Sequence, residues 1–416
     1  MTGGAVWLRR SSGRFAFPAF LAVVLVVAFS RTSWWWEWDW ALSWVSGSTI
    51  VLAPLLAGVA AYDMAIRVTP TLREVAAGSR RGWAMFPHVV LGSWLYAVGS
   101  WAVGVVVVAA TAAWHGAEGP FDPTILLHVP LVLLAAASVG GLVGIVIQSV
   151  LSAPVAVALV YGLPIVGLSL GWTDVLSAGG ATGPIAGMVR NPAVLYPALF
   201  MALALAIVCA AAAAVRLTPS RVVPVGAGGV AAVVCLGSAW VLASAHPMLN
   251  GYRPSATPLM CVGSEPEVCG PAGAGRLLKL AQPDLAEAAS ALRPSGFDFP
   301  EEYILGGPTL ESHVESGRGL LETGVESIAD EHIQRRDVLV SLATPTVCRE
   351  FFDDVPPVDL LEAQARLAEW FGTRLDGTST SDLDETALET FSALAECDAS
   401  AVPEWPPVEE EPPWEP

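Results

Sequence analysis

Lysine is almost missing: Lys279 stands alone beside 20 arginines, and only 14% of the 416 residues are charged. That shortage excludes one large class of chemistry. A phosphate-cradling P-loop needs G-x-x-x-x-G-K-[ST], whereas Lys279 sits in Leu-Leu-Lys-Leu. The chain hydrolyses no nucleotide by that route, so ATP-driven work requires a second protein. Other catalytic signatures are thin too. There is no H-E-x-x-H; Asp330-Glu331-His332 comes nearest and lacks the second histidine. No C-x2-C pair exists, which argues against a four-thiolate zinc site. Gly167-Leu168-Ser169-Leu170-Gly171 matches G-x-S-x-G by letter. That motif needs a strand–turn–helix elbow, and here it closes an apolar run. His313 and His332 lie among so many carboxylates that chance explains their company. His115, Glu118 and Asp122 share one loop, with no rigid element to space them as ligands. Enzyme activity, a bound metal and a cofactor are not expected.

What the chain has is apolar sequence, 54% of the total. Seven runs stand out: Phe15–Ser30, Thr49–Ile66, His88–Ala113, Thr124–Val150, Pro154–Leu170, Tyr196–Val215 and Val222–Ser244. Runs near 20 residues fit the ~30 Å hydrocarbon core of a bilayer. The first run is short, so Trp34, Trp35 and Trp36 are expected to complete it as part of an interfacial aromatic belt. Ala28-Phe29-Ser30 also mimics a signal-peptide end, but six further runs favour an uncleaved anchor. Arginine placement predicts the orientation. Arg9, Arg10 and Arg14, then Arg67, Arg73, Arg80 and Arg81, then Arg216 and Arg221 all fall on one side, and short basic loops stay cytoplasmic. The expected topology has a cytoplasmic amino terminus in the plasma membrane and a carboxy-terminal part outside.

Charge divides at the same place. Residues 247–416 hold 32 Asp/Glu against 10 Lys/Arg, a net of −22, while residues 1–246 hold 7 against 11. Such a tail repels phosphate, so nucleic acid is not expected as a partner. It contains Cys261, Cys269, Cys348 and Cys397, an even number suited to an oxidising compartment. Three pairings are open; Cys261–Cys269 and Cys348–Cys397 are preferred. After an irregular stretch over 245–275, helices are expected over 274–292, shortened by Pro283, and over 319–341. Two more are expected at 358–375, with Leu360, Ala363, Leu367, Trp370 and Phe371 on one face, and after Ser381-Asp382-Leu383-Asp384. The expected domains are a basic cytoplasmic lead (1–14), a six-helix membrane domain (15–221), a seventh transmembrane helix (222–246), an acidic extracellular domain (247–402) and a disordered Pro/Glu-rich tail (403–416). The expected fold class is an all-α polytopic membrane protein with seven transmembrane helices and a small helix-rich, disulfide-bonded extracellular domain.

The loop from Arg67 to Pro87 holds the most specific local pattern. Thr71-Leu72-Arg73-Glu74 fits a capping box and Gly78 a helix stop, predicting a surface helix over about 72–77 followed by Arg80 and Arg81. Asp63, four residues before Arg67, shares its helix face, predicting an interfacial ion pair. A basic lead, six spans, this loop after the second span and a long outer segment between the fifth and sixth together resemble the permease subunits of type-2 ABC exporters. The added seventh span and outer domain make the chain similar to actinobacterial permease-like membrane proteins with an extracellular C-terminal domain. The resemblance implies a coupling loop, Leu72, Arg73, Glu74, Arg80 and Arg81, that docks on a separate ABC-type ATPase. It also implies a homodimer or heterodimer of such subunits in the bilayer. The alternative from another class is a membrane-anchored sensor or interaction protein whose outer domain binds a ligand or partner.

Overall fold

The computed structural model describes residues 9–31, 33–79, 82–169, 186–217, 222–244, 252–254, 259–306, 317–322, 333–348, 358–378 and 383–405. The chain divides into two compact units, 1–185 with 189–253 and 186–188 with 254–416.

The first unit is built of apolar helices: α1 (Gly13–Ala28), α2 (Trp38–Ser46), α3 (Thr49–Tyr62), α4 (Pro70–Gly78), α5 (Met85–Trp114), α6 (Ile125–Ile147), α7 (Ser152–Ser169), α8 (Pro192–Leu217) and α9 (Val222–Ser244). Among the described residues, four helical segments, Trp38–Arg67, Met85–Trp114, Ile125–Ile147 and Pro192–Leu217, are long and apolar enough to cross a membrane. At 1.5 Å per residue the 30 residues of α5 extend about 45 Å, beyond a ~30 Å core.

Trp34 and Trp36, expected in an interfacial belt, are instead almost wholly buried within the protein, and Trp35 is half-buried. Trp34 Nε1 donates to Ala28 O at 2.7 Å and Trp44 Nε1 to Val27 O at 2.9 Å. The last carbonyls of a helix have no partner within it. These two indoles supply one for α1, which explains why the short first run needs the tryptophans. The stretch after them is helical as well: α2 leads through Gly47 and Ser48 directly into α3.

Small residues set the closest approach. Gly140 and Gly144 on α6 lie against Ala57 and Ala61 on α3, and a Cβ on either glycine would fall on the facing alanine carbonyl. Four-residue spacing on both helices gives a small-xxx-small seam, which lets backbones meet without a hydrophobic driving force. Here no side chain can yield, because the obstacle is backbone. Gly140→Val is therefore expected to cost ~3 kcal/mol or more and to abolish the monodisperse gel-filtration peak in detergent. Gly162→Val, where a Cβ meets nothing within 4 Å, is expected to leave that peak unchanged.

The second unit is not all-α. It carries a four-stranded mixed sheet in the order β3–β4–β5–β6: β3 (Leu259–Val262), β4 (Glu267–Pro271), β5 (Glu302–Leu305) and β6 (Gly319–Leu321). A separate two-stranded sheet pairs β1 (Met188–Arg190) with β2 (Tyr252–Pro254). β3 and β4 are antiparallel; β4–β5 and β5–β6 are parallel. Helix α10 (Gly275–Leu292) makes the β4–β5 crossover and runs through Pro283 rather than stopping there. The predicted helix over 319–341 divides into strand β6 and helix α11 (Arg335–Leu342). Short buried strands of a parallel sheet are apolar on both faces, and Gly-Leu-Leu has no period to betray it.

Helices α12 (Val358–Leu375) and α13 (Asp384–Ala395) close the core. Leu360, Ala363, Leu367, Trp370 and Phe371 are all buried on one face of α12. Phe297 packs at 5.1–5.8 Å, centroid to centroid, against Phe299, Trp370, Phe371 and Phe391. Disulfides join Cys261 to Cys269, directly opposite in the β3–β4 register, and Cys348 to Cys397.

Tyr303 on β5 is wholly buried, in the space left by Gly319 opposite it on β6. Its hydroxyl has no hydrogen-bond partner among the described residues. Burial holds its phenol above the ordinary value of 10.0. A raised acid binds its proton more tightly when folded, so stability is lost as pH rises past 10. Tyr303→Phe is expected to raise stability at pH 7 by ~1 kcal/mol and to flatten this alkaline slope. Thermal unfolding between pH 7 and 11 measures both.

Candidate functional site

The first unit is polar at both ends. At one end, α3 passes into a π-helical turn, Asp63–Arg67, and then into α4. Such turns recur at functional positions, because the wider turn shifts the helix register. Asp63 is 1% exposed. Its carboxylate pairs with Arg67 Nε at 3.0 Å, as the four-residue spacing predicts. It also accepts the Ser11 hydroxyl at 2.8 Å and the Ser12 amide at 2.9 Å. Ser11 Oγ in turn accepts the Gly13 amide at 3.0 Å, so the group sits at the amino end of α1, where exposed N–H groups favour negative charge. One carboxylate thereby joins the amino-terminal lead, the start of α1 and the turn that carries α4. The partners Ser11 and Ser12 had no legible signal, since two serines before an apolar run read as a cap or a linker.

Helix α4 starts earlier than the capping box implies. Thr69 Oγ1 accepts the Leu72 amide at 3.4 Å, and Pro70 occupies the first helical position. Thr71 therefore lies inside the helix, and Thr-Pro, with its pre-set φ, is the true start signal. Leu72, Glu74 and Val75 are exposed, Val75 by 65%. Arg73 lies within the helix backbone, while Arg80 and Arg81 fall outside the described residues. The arrangement is a short solvent-facing helix with an apolar and acidic surface, anchored at its root by a buried ion pair.

The opposite end holds a cluster that sequence reasoning mostly missed. Glu118 pairs by backbone with the tryptophan segment: its N–H donates to Trp36 O at 2.8 Å and its carbonyl accepts from Trp38 at 3.2 Å. His115 stacks on Trp35 at 4.2 Å. Asp39 Oδ1 accepts the Asp122 amide at 2.6 Å. Asp122 accepts the amide and hydroxyl of Thr124, both at 2.8 Å, and pairs with Arg190 Nε at 3.3 Å. The Arg190 guanidinium lies over the Tyr252 ring at 5.1 Å, and the Tyr252 phenol hydrogen-bonds with Ser43. Burial raises that phenol above its ordinary range. Asp39, Leu42, Asp122, Ile125, Arg190 and Tyr252 line a small cleft with about 10 Å³ of internal space, room for one water at most. His128, one turn along α6 from Ile125, is 4% exposed, and neither ring nitrogen has a hydrogen-bond partner among the described residues.

His115, Glu118 and Asp122 were marked beforehand as a trio on one loop; Asp39, Arg190, Tyr252 and His128 were not. An acid between tryptophans, Asp39, was the available signal. The helical segment Trp38–Arg67 carries Asp39 at its start and Asp63 near its end, so it spans both polar clusters. Among the described residues one close group of potential metal ligands occurs, Cys261, Glu267 and Cys269, and its two sulfurs are joined to each other. The histidines proposed and set aside as ligands, His313 and His332, lie outside the described residues. No protein-family model, curated protein or solved structure matches the chain.

Proposed function

We propose that the chain is the membrane subunit of an ABC-type transporter, energised by a separate ATPase, that exports its substrate. The observation that carries this reading is helix α4, exposed at its tip and fixed at its root by Asp63. A docking helix must present a surface to its partner and pass the partner's movement on. Leu72, Glu74 and Val75 supply the surface. The π turn and Asp63 connect α4 to α1 and α3, so displacement of α4 loads two membrane helices together.

In this reading α1, the segment Trp38–Arg67, α5, α6, α7, α8 and α9 are the seven crossings of a plasma-membrane protein. The amino terminus is cytoplasmic and the acidic unit lies outside. Val230, Val233, Leu236 and Trp240 expose an apolar strip along α9 that lipid or a second permease subunit would cover. A second reading, a membrane-anchored sensor, is favoured by the outer unit's own aromatic core and its two disulfides. Replacing Arg73 and Glu74 by alanine separates them. The transport reading expects the double variant to lose at least ~10-fold in ATPase association while keeping its gel-filtration profile. An ATPase that still co-purifies in full removes α4 as the docking helix.

A further inference from the structure

The two disulfides of the second unit differ in what surrounds them. Cys348 is fully buried, and among the described residues no His, Asp or Glu completes a ligand group around its bond. Cys261 is exposed on β3, an edge strand of the four-stranded sheet, while its partner Cys269 is buried on β4. The Glu267 carboxylate lies within 4.8 Å of both sulfurs. It stands two residues before Cys269 and so on the same face of β4. That carboxylate has no hydrogen bond or ion pair of its own among the described residues.

The sheet, rather than the bond between the sulfurs, holds these three groups together. β3 and β4 stay paired from Leu259–Pro271 to Val262–Val268, and Cys269 also pairs with Ile304 of β5. Helix α10 fixes the intervening turn, where Gln282 Nε2 donates to Pro266 O at 3.4 Å. Opening the disulfide therefore leaves two thiols directly opposite each other on backbones whose Cα atoms are 4.0 Å apart. Two thiolates on one tetrahedral zinc ion lie about 3.8 Å apart at a Zn–S distance of ~2.3 Å. Opposed side chains of an antiparallel pair supply that spacing. The Glu267 carboxylate completes its approach by side-chain rotation and gives the third ligand, with water as the fourth.

We infer that the β3–β4 hairpin is a zinc site gated by its oxidation state. Oxidised, the Cys261–Cys269 bond occupies both sulfurs and zinc does not bind. Two molecules of a low-molecular-weight thiol open it by successive exchange. The first, as thiolate, attacks the exposed Cys261 sulfur, and Cys269 leaves. The second attacks the thiol sulfur of that mixed disulfide, Cys261 leaves, and the two reductant molecules depart as their own disulfide. Two electrons and two protons pass to the cysteines, and the protons are released when zinc takes both thiolates and Glu267. The site does not depend on the transport reading.

The test uses the full-length protein in mild detergent, reduced with a phosphine that is then removed under argon. Cobalt(II) chloride is the probe, because sulfur-to-cobalt charge-transfer absorption reports thiolate ligation directly. The expected result is a saturable band in the reduced protein, none in the oxidised protein, and loss of the band when zinc chloride displaces the cobalt. The double change of Cys261 and Cys269 to serine is expected to give no band. Glu267→Gln is expected to raise the cobalt dissociation constant about tenfold or more. Equal bands before and after reduction overturn the proposal, as does a reduced protein without a band. A band that persists in the double variant assigns the ligation to other thiols and overturns it too. A wild-type dissociation constant in Glu267→Gln removes the third ligand and with it the site. If the double variant does not yield a monodisperse protein, Cys261→Ser takes its place: an unchanged band there overturns the proposal, and a lost band supports it.

Discussion

Replacing Asp63 with alanine is expected to cost the first unit ~3–5 kcal/mol, more than any other single change at either polar cluster. The carboxylate takes part in an ion pair and two further hydrogen bonds, at 3.0, 2.8 and 2.9 Å, while only 1% exposed. Charge-assisted bonds contribute about 1.5–3 kcal/mol each, and removing the acceptor also leaves the buried Ser11 hydroxyl without it. Arg67→Ala is expected to cost less. The Arg67 side chain is 30% exposed, and without it Asp63 still has the donors of Ser11 and Ser12. A surface pair of ordinary strength predicts equal and small effects, below ~1 kcal/mol, for both variants. Thermal midpoints in detergent should therefore fall in the order wild type, Arg67→Ala, Asp63→Ala. The reverse order, or two equal small losses, would mean that Asp63 is an interfacial anchor rather than the junction of three segments. If α4 docks on an ATPase, as proposed, Asp63→Ala should also weaken that association, since the root of α4 is no longer fixed.

Loss of the Cys348–Cys397 disulfide is expected to have a comparable effect on the second unit. The bond closes a loop of 49 residues, and the entropy removed from the unfolded chain is worth about 4 kcal/mol. The Cys261–Cys269 bond spans 8 residues, and the same relation gives about 2.5 kcal/mol. It also joins strands already paired by backbone hydrogen bonds. The double change to serine at Cys348 and Cys397 should raise hydrogen exchange throughout α12 and α13 in the full-length chain. The same change at Cys261 and Cys269 should raise it mainly at β3. Equal, local effects for both pairs would show that the longer bond does not hold the helices to the sheet.

The helices were legible because each is a run longer than any competing structure requires, and apolar runs near 20 residues have few other uses. Val222–Ser244 was placed to the residue, and α5 and α8 within a few at each end. The sheet was not legible. Its strands are three to five residues long, and β4 and β6 are buried on consecutive residues, so neither shows a two-residue period. The start of α4 was misplaced because a capping box and a Thr-Pro start lie two residues apart, and the fixed φ of Pro70 decided between them. The ion pair of Asp63 and Arg67 was legible because helix spacing alone brings the two together. Ser11 and Ser12 were not, because they reach Asp63 from about 50 residues away through packing of α1 on its neighbours. The same reason hid the Asp39 cleft, whose parts come from four separate segments.

The central claim, a membrane subunit driven by an ATPase in trans, is tested most directly by affinity purification from native membranes in mild detergent. The bound proteins are identified and ATP hydrolysis is measured on the eluate. The account predicts a stoichiometric P-loop ATPase whose association depends on Arg73 and Glu74. An intact, folded chain that reproducibly elutes without any ATPase would contradict it and leave the second unit as the place to look for function.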